Sequence, residues 1–235
     1  MGRIYKNTKE CLNELRREMK EMGTIVSPFS YQNKIVKDDD NFITRELQGY
    51  EFTIIDTSDA GSLSKDKEWA DAEFIERISR KECNPGEAYK LRDNGKFWSQ
   101  FADEKGEQDY TYSDRMKNQI DRIITELKRN PDTRQAIITI YNSDKDIDSI
   151  GGKKRTPCSM HYHLMIRKDG NGIPKMNIIY VMRSCDLSTH FVNDIYLASK
   201  LRNYIAKEVG VESGTYTMFI SSFHQFKKDW NEGVY

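Results

Sequence analysis

Two short motifs in the second half of the chain contain residue types that hold an anion and form a covalent bond. Arg183, Ser184 and Asp186 stand at the end of an apolar segment. An arginine fork beside a hydroxyl group matches an anion such as phosphate. Because a buried charge must be paired, an ordinary buried pair of Arg183 with Asp186 is the alternative interpretation.

Cys158 follows Pro157 at the start of another apolar segment. A cysteine becomes a nucleophile only as a thiolate, which a nearby cation stabilises. Arg183 supplies that cation if the two segments pair as neighbouring strands. The alternative is a chemically inert thiol in the core.

The remaining cysteines, Cys11, Cys83 and Cys185, are widely spaced in the sequence. The sequence contains no Cys-x-x-Cys pair or Cys/His cluster, so we expect no metal site. In a reducing compartment all the cysteines are expected to be free thiols.

The elements that must position these residues follow from the hydrophobic pattern. Helical spacing predicts helices over residues 8–22, 66–81, 114–129 and 194–209, with a left-handed stop at Gly23 and another stop at Gly210. Apolar runs and alternation predict strands over residues 135–141, 156–167, 177–186 and 216–223. In residues 156–167, Cys158 shares a face with Tyr162, and Ser159 lies on the other. Strands and helices without strict β-α-β alternation predict the α+β class.

Composition narrows the class of protein. The 235 residues include 37 Lys plus Arg and 37 Asp plus Glu, which cancel to zero formal charge. Nucleic-acid binding needs surplus positive charge, so we expect no nucleic-acid partner. No apolar run reaches the ~20 residues that span a bilayer, and the N-terminus lacks a signal peptide's apolar core. We therefore expect a soluble, single-domain protein, 1–235, without a membrane partner, in the cytoplasm of a bacterial or phage-infected cell.

Taken in order over residues 42–230, the motifs resemble the thymidylate synthase family. Pro157-Cys158, Arg183-Ser184-Cys185-Asp186, Asn193-Asp194-Ile195 and His224 match its central and C-terminal motifs. Upstream, residues 130–134 resemble a phosphate-binding segment, residues 44–47 a glutamate-bearing helix, Trp98 an active-site tryptophan, and residues 106–113 a tyrosine-containing turn. The resemblance implies a three-layer fold with a mixed β-sheet at the interface of a homodimer.

The resemblance also implies a mechanism and a role for each matching residue. The Cys158 thiolate adds to C6 of a pyrimidine nucleoside monophosphate, so that C5 attacks a carbon delivered by the folate 5,10-methylenetetrahydrofolate. Glu46 organises water and proton transfer, and Asp186 and Trp98 lie near the folate. The resemblance implies that Arg183, Ser184 and Arg134 bind the phosphate of the nucleotide. Arg134 reaches across from the partner subunit, so the active site is shared. Tyr112 and His224 also bind the nucleotide, and His224 contacts its sugar.

One departure from the family concerns the base. The family's base-reading asparagine falls at Asp194, eight residues after Asp186. A carboxylate accepts from the cytosine amino group and repels the uracil carbonyl, so Asp194 indicates dCMP. The chain is most similar to the phage deoxycytidylate hydroxymethylase branch. The rival interpretation is that Asp194 only caps the following helix.

Other departures leave the substrate and product open. Gln135 replaces a second phosphate arginine, and Phe226 replaces a tyrosine at the sugar, so deoxyribose and ribose stay undecided. Residues 231–235 do not match the family's C-terminal lid, and a looser lid would admit water and give a hydroxymethyl product. The alternatives are a dUMP or CMP enzyme, a true methyltransferase, a non-catalytic nucleotide-binding protein, and a cysteine hydrolase.

Overall fold

The computed structural model describes residues 2–32, 34–149 and 154–231. In these residues one mixed sheet contains seven strands in the order β1-β5-β9-β8-β7-β6, with β2 also paired to β5. The strands are β1 (Arg3–Asn7), β2 (Thr24–Val26), β5 (Thr44–Asp56), β6 (Ile137–Thr139), β7 (Ser159–Lys168), β8 (Pro174–Asp186) and β9 (Glu212–Phe226); β3 (Ser30–Tyr31) and β4 (Lys34–Ile35) form a separate hairpin.

The helices are α1 (Thr8–Met22), α2 (Ala60–Leu63), α3 (Lys67–Ile78), α4 (Lys96–Ser99), α5 (Tyr112–Met116), α6 (Ile120–Arg129), α7 (Ser143–Asp146) and α8 (Phe191–Val209). Short 3₁₀ turns lie at Asp40–Phe42, Ala88–Leu91, Asp93–Gly95, Ile147–Ser149 and Lys227–Asp229. Within the described ranges, no helix is both long and apolar enough to cross a bilayer.

Three layers surround the core. Helices α1 and α8 pack on the sheet, and α3 and α6 pack on α8. Helix α8 is buried along most of its length, as a middle layer requires. The predicted combination of helices with a mixed sheet is therefore confirmed, while the placement of the sheet at a dimer interface stays a prediction.

The alternation of buried and less buried residues is interrupted at the same height of the sheet in three adjacent strands. Buried residues recur every second position along β8 and β9 up to Met182 and Ile220, and the next buried positions come three residues later, at Cys185 and Phe223. In β5 the corresponding point holds Gly49, whose φ of 59° lies in the left-handed region. This coordinated step lets the strands stay paired while the first residues of β5 and the last residues of β8 and β9 turn polar side chains toward a cavity.

Several predicted boundaries differ from the structure. The predicted helix 114–129 is divided into α5 and α6, the predicted helix 66–81 is shorter, and α8 begins three residues before position 194. Gly23 ends α1 with a φ of −64°, not in a left-handed turn, because β2 begins at the next residue and needs an extended chain. Gly210 does end α8 in the left-handed conformation.

Residues 44–47 form a strand, and the predicted glutamate-bearing helix at this position is wrong. They begin β5, where Thr44 pairs with Phe226 and Glu46 pairs with His224 across an antiparallel ladder. This pairing satisfies the backbone of residues 44–47 without a helix. Helix α3 contributes two other carboxylate residues, Glu73 and Glu76, to the same cavity.

Candidate active site

A cavity of about 440 Å³ opens at the polar ends of β5, β8 and β9. This volume lies in the ~300–1,000 Å³ range that is typical of small-molecule sites. Of the residues proposed for catalysis or for the folate, Cys158, Glu46, Asp186 and Trp98 line the cavity. Of those proposed for the nucleotide, Arg183, Ser184, Asp194, His224 and Tyr112 line it as well.

Arg134 is the exception among the predicted site residues. It is exposed in the turn between α6 and β6 and does not line the cavity. An arginine that serves the site of a second subunit must lie outside the site of its own subunit. The position of Arg134 therefore leaves its role across a dimer as a prediction.

The structure places Cys158 and Arg183 close together, as the predicted pairing of their strands requires. The Arg183 backbone N–H donates to the Cys158 carbonyl at 2.9 Å, as the pairing of β7 with β8 requires. The Arg183 Nη2 lies 3.9 Å from the Cys158 Sγ, and the guanidinium also donates to the carbonyls of Pro157 and Thr156. A positive charge is thus fixed beside a half-buried thiol at the cavity wall.

Three polar residues lie side by side on neighbouring strands. Register pairs Glu46 of β5 with His224 of β9, and His224 with Asp186 of β8. Ser184 Oγ and His224 Nδ1 are 3.4 Å apart, within hydrogen-bond distance, and Ser222 Oγ donates to Glu46. Burial lowers the pKa of His224. Glu46 and Asp186 thus lie on either side of His224 in one row of the cavity wall.

Asp194 lies on the inner face of α8 and does not cap it. The helix begins at Phe191 with His190 as the N-cap residue, so the capping interpretation of Asp194 is wrong. The Cys185 Sγ donates to Asp194 Oδ2 at 3.5 Å. Burial raises the pKa of Asp194 to about 6, and the positive charge of Arg77 works against this rise. A carboxyl group with this pKa can hold or release a proton near neutral pH.

Ser159 belongs to a buried hydroxyl network, contrary to its predicted place on the strand face opposite Tyr162. A register shift between Ser159 and His161 turns it inward, where it contacts the Tyr180 hydroxyl and shares a 2.8 Å hydrogen bond with the Tyr112 hydroxyl. The irregular pairing breaks the alternation on which the prediction depended. The network fixes the Tyr112 ring at the cavity wall.

Sequence reasoning missed the charged residues of α3. Arg77 is buried, its Nε donates to Glu73 at 2.9 Å, and its guanidinium lies 3.7 Å from the centre of the Tyr112 ring. Its Nη1 also donates to the Tyr162 hydroxyl at 3.4 Å. Ala70, Phe74 and Arg77 follow helical spacing, so an arginine on the apolar face of a predicted helix was the available signal.

The irregular segment 61–110 forms the other wall of the cavity. The Arg92 guanidinium is buried, lies 3.2 Å from the Asp66 carboxylate, and is within hydrogen-bond distance of His190 Nδ1. The Trp98 and His190 rings are 6.2 Å apart. Burial lowers the pKa of His190 well below its ordinary value. Several residues of this segment, among them Trp69, Phe97 and Trp98, line the cavity.

Comparison with known proteins identifies the fold family. The thymidylate synthase family model matches residues 35–232. The chain belongs to the thymidylate synthase family. A solved thymidylate synthase A of Bacillus subtilis superposes with a TM-score of 0.71 at 17% identity, covering 95% of this chain and 81% of that one. At this identity the superposition establishes the shared fold alone.

Two curated relatives show moderate similarity over part of the sequence. A putative thymidylate synthase of Methanosarcina barkeri is 33% identical over 129 residues, which is 52% of this chain and 55% of that protein. A deoxyuridylate hydroxymethyltransferase of Pseudomonas phage M6 is 30% identical over 118 residues, 49% of this chain and 32% of that protein. The chain thus spans about half, or less, of the curated relatives it matches.

Proposed function

We propose that the protein transfers a one-carbon unit to C5 of a pyrimidine nucleoside monophosphate, and that its substrate is dCMP and its product 5-hydroxymethyl-dCMP. The observation that carries the proposal is the pair of Cys158 and Arg183, which places a thiol and a fixed positive charge in one cavity. The family of the chain supports the class of reaction.

The proposed reaction begins with addition of the Cys158 sulfur to C6 of the ring. C5 of a pyrimidine is a poor nucleophile, and this addition gives it the electron density of an enamine. Arg183, hydrogen-bonded to the carbonyls of Thr156 and Pro157, stabilises negative charge on the sulfur. To Glu46, which accepts a hydrogen bond from Ser222, we assign the holding of a water and the transfer of a proton at the ring.

The aromatic wall of the cavity fits the flat ring system of a folate. Trp98 packs edge to face on Phe97 with ring centres 4.9 Å apart, and the buried Asp186 lies on the strand opposite. We assign the folate contacts to Trp98 and Asp186. When bound, 5,10-methylenetetrahydrofolate supplies carbon at the oxidation level of formaldehyde.

The phosphate of the nucleotide is assigned to Arg183 and Ser184, together with Arg134 of the partner subunit. Ser184 lies next to Arg183 on β8 and hydrogen-bonds His224, which we assign to the sugar. A homodimer with a shared active site requires a contact surface. The sheet face opposite the helices offers one, because its alternate residues, among them Ile179, Val181 and Phe219, are only partly buried.

The preference for cytosine is assigned to Asp194. As a carboxylate it accepts from the cytosine amino group and opposes the uracil carbonyl. Its raised pKa, about 6, still leaves the charged form in excess at neutral pH. The second candidate substrate is dUMP, which is favoured by the name of the phage relative, a deoxyuridylate hydroxymethyltransferase.

The hydroxymethyl product is favoured over a methyl product by that same relative. The further argument from the C-terminal tail concerns residues 231–235, of which 232–235 lie outside the described residues. A methyl product is the second candidate, since a relative that matches is a putative thymidylate synthase.

The deciding experiment incubates the enzyme separately with dCMP, dUMP and CMP in the presence of 5,10-methylenetetrahydrofolate. Mass spectrometry of the nucleotide distinguishes a hydroxymethyl from a methyl group, and absorbance distinguishes tetrahydrofolate from dihydrofolate. We expect 5-hydroxymethyl-dCMP with tetrahydrofolate. Stoichiometric dihydrofolate would identify a methyltransferase, and faster turnover of dUMP would make dUMP the substrate. If no nucleotide is modified, the enzymatic proposal fails.

A further inference from the structure

A buried arginine that the proposed mechanism does not use lies in the wall of the cavity. Arg155, three residues before Cys158, is only 7% exposed. Its guanidinium carbon lies 5.0 Å from the ring centre of Trp98, 4.8 Å from that of Phe101 and 5.3 Å from that of Tyr110. These aromatic faces hold the guanidinium in place through cation–π contacts.

The hydrogen bonding of Arg155 is incomplete. Its Nη1 donates to Gln108 Oε1 at 3.0 Å, and its backbone N–H donates to the Asp109 carboxylate at 2.8 Å. The Nε is buried and has no partner among the described residues. A guanidinium has five N–H donors and stays charged in proteins. A buried cation with unused donors is costly unless an anion completes its contacts.

The charged residues around the cavity indicate which kind of ligand would satisfy the free donors of Arg155. Gln135 stands where the resemblance expects a second phosphate-binding arginine, so the proposed phosphate contacts include one arginine fewer than the resemblance implies. Lys154, exposed and next to Arg155, lines the same cavity. Trp98, which we assign to the folate, shares its wall with Arg155. A planar guanidinium binds an oxyanion through two parallel hydrogen bonds.

We propose that Arg155 binds an oxyanion within the active-site cavity. The proposal depends on the proposed function for the identity of the ligand. Two groups have this chemistry: the phosphate of the nucleotide, and a carboxylate of the glutamate tail of the folate. In either case Arg155 positions a substrate through its charged end, away from the reacting carbon atoms.

The test uses two substitutions and a matched control. Arg155→Met keeps the length and the apolar contacts with the rings but removes the charge. Arg155→Gln also removes the charge and keeps a polar end, so it carries the test if Arg155→Met does not fold. The control is Arg202→Met, because Arg202 is equally buried but bonds Thr57 and the Gly214 carbonyl, and it does not line the cavity. Thermal unfolding verifies that each variant is folded.

Calorimetry then measures affinity for pairs of ligands that differ by the anion alone. The first pair is dCMP and deoxycytidine, and the second is tetrahydrofolate and the amide of tetrahydropteroic acid, in which a neutral carboxamide replaces the link to glutamate. Because a hydrogen bond to a charged group contributes roughly 1.5–3 kcal/mol, we expect the Arg155 variants to lose roughly tenfold to a hundredfold in affinity for the anionic member of one pair. The neutral member of each pair should bind to the Arg155 variants as tightly as it binds to the wild type.

The pair that responds identifies the source of the oxyanion. Equal affinity of the wild type and both Arg155 variants for every ligand would overturn the inference while leaving the proposed function intact. An equal loss for the anionic and the neutral member of a pair would also overturn it, because Arg155 would then only support the wall. If the wild type binds no nucleotide and no folate, the proposed function fails, and this inference fails with it.

Discussion

The guanidinium of Arg183 and the thiol of Cys158 are held together by the pairing of two strands. The Arg183 backbone bonds the Cys158 carbonyl, and its side chain turns back to bond the carbonyls of Thr156 and Pro157. Its Nη2 thereby comes within 3.9 Å of the sulfur. The charge is fixed by the backbone around the cysteine, so binding of a nucleotide does not have to assemble this pair.

The first prediction concerns the nucleophile. Cys158→Ser should abolish turnover, because a serine hydroxyl beside Arg183 is not activated as a thiolate is. Binding of the nucleotide should be nearly unchanged, since the proposed phosphate contacts belong to other residues. The measurements are product formation by mass spectrometry and the Kd for dCMP. Cys11→Ala is the control, because Cys11 is buried on α1 away from the cavity. A near-normal rate for Cys158→Ser would remove the proposed mechanism.

The second prediction concerns a shared active site. Arg134→Ala and Cys158→Ser should each be inactive as homodimers. A mixture of the two should recover activity, because one site of each mixed dimer has both an intact Arg134 and an intact Cys158. Subunit exchange is verified with differently tagged chains. Exchange without any recovery would show that Arg134 does not serve the partner's site.

The arrangement around Cys158 could be predicted because it depends on local pattern. Alternating apolar residues in β7 and β8 indicate two strands, and their pairing brings Cys158 to Arg183. Ser159 could not be placed, because a single irregularity in the pairing changes the side to which it points. Glu46 was wrongly assigned to a helix from its motif, because the strand residue with which it pairs, His224, lies 178 positions later in the sequence.

The buried arginines show a second limit of sequence reasoning. Arg77 and Arg155 are stabilised by aromatic rings and hydroxyl groups from distant parts of the chain, including Tyr162 and Trp98. A charged residue in the sequence normally indicates solvent exposure. Only the assembled tertiary structure reveals that these two charges lie at the cavity.

The third prediction concerns stability and pH. Burial raises the pKa of Asp194 from 3.8 to about 6, so the folded protein binds more protons than the unfolded chain between these pH values. The stability cost of the charged form therefore grows as pH rises from about 4 to 6 and stays constant above that range. Asp194→Asn imitates the neutral form and should raise the free energy of unfolding by up to ~3 kcal/mol at pH 7.5.

The same substitution should have a much smaller effect on stability near pH 4, where Asp194 is protonated in the folded protein and about half protonated in the unfolded chain. Urea denaturation at the two pH values, at one fixed protein concentration, measures the difference. An equal effect of Asp194→Asn at both pH values would contradict the raised pKa.

The last prediction concerns the choice of base. A charge-assisted hydrogen bond to the cytosine amino group contributes roughly 1.5–3 kcal/mol, and a uracil carbonyl in its place opposes two acceptors. Above pH 7, where Asp194 is charged, the preference for dCMP over dUMP should approach about a hundredfold in kcat/KM. Asp194→Asn restores one donor and one acceptor, and should reduce or reverse that preference.

Lowering the pH should also reduce the preference of the wild type for dCMP over dUMP. Below the pKa of about 6 the protonated Asp194 offers a donor as well as an acceptor, so it tolerates the uracil carbonyl and the ratio of dCMP to dUMP efficiencies should fall. In Asp194→Asn the ratio should not change over this range, because the amide does not titrate. Competition between the two nucleotides at pH 5.5 and 8 measures both ratios. If the ratio at pH 8 differs by less than about twofold between wild type and Asp194→Asn, the assignment of base choice to Asp194 is wrong and dUMP becomes the favoured substrate.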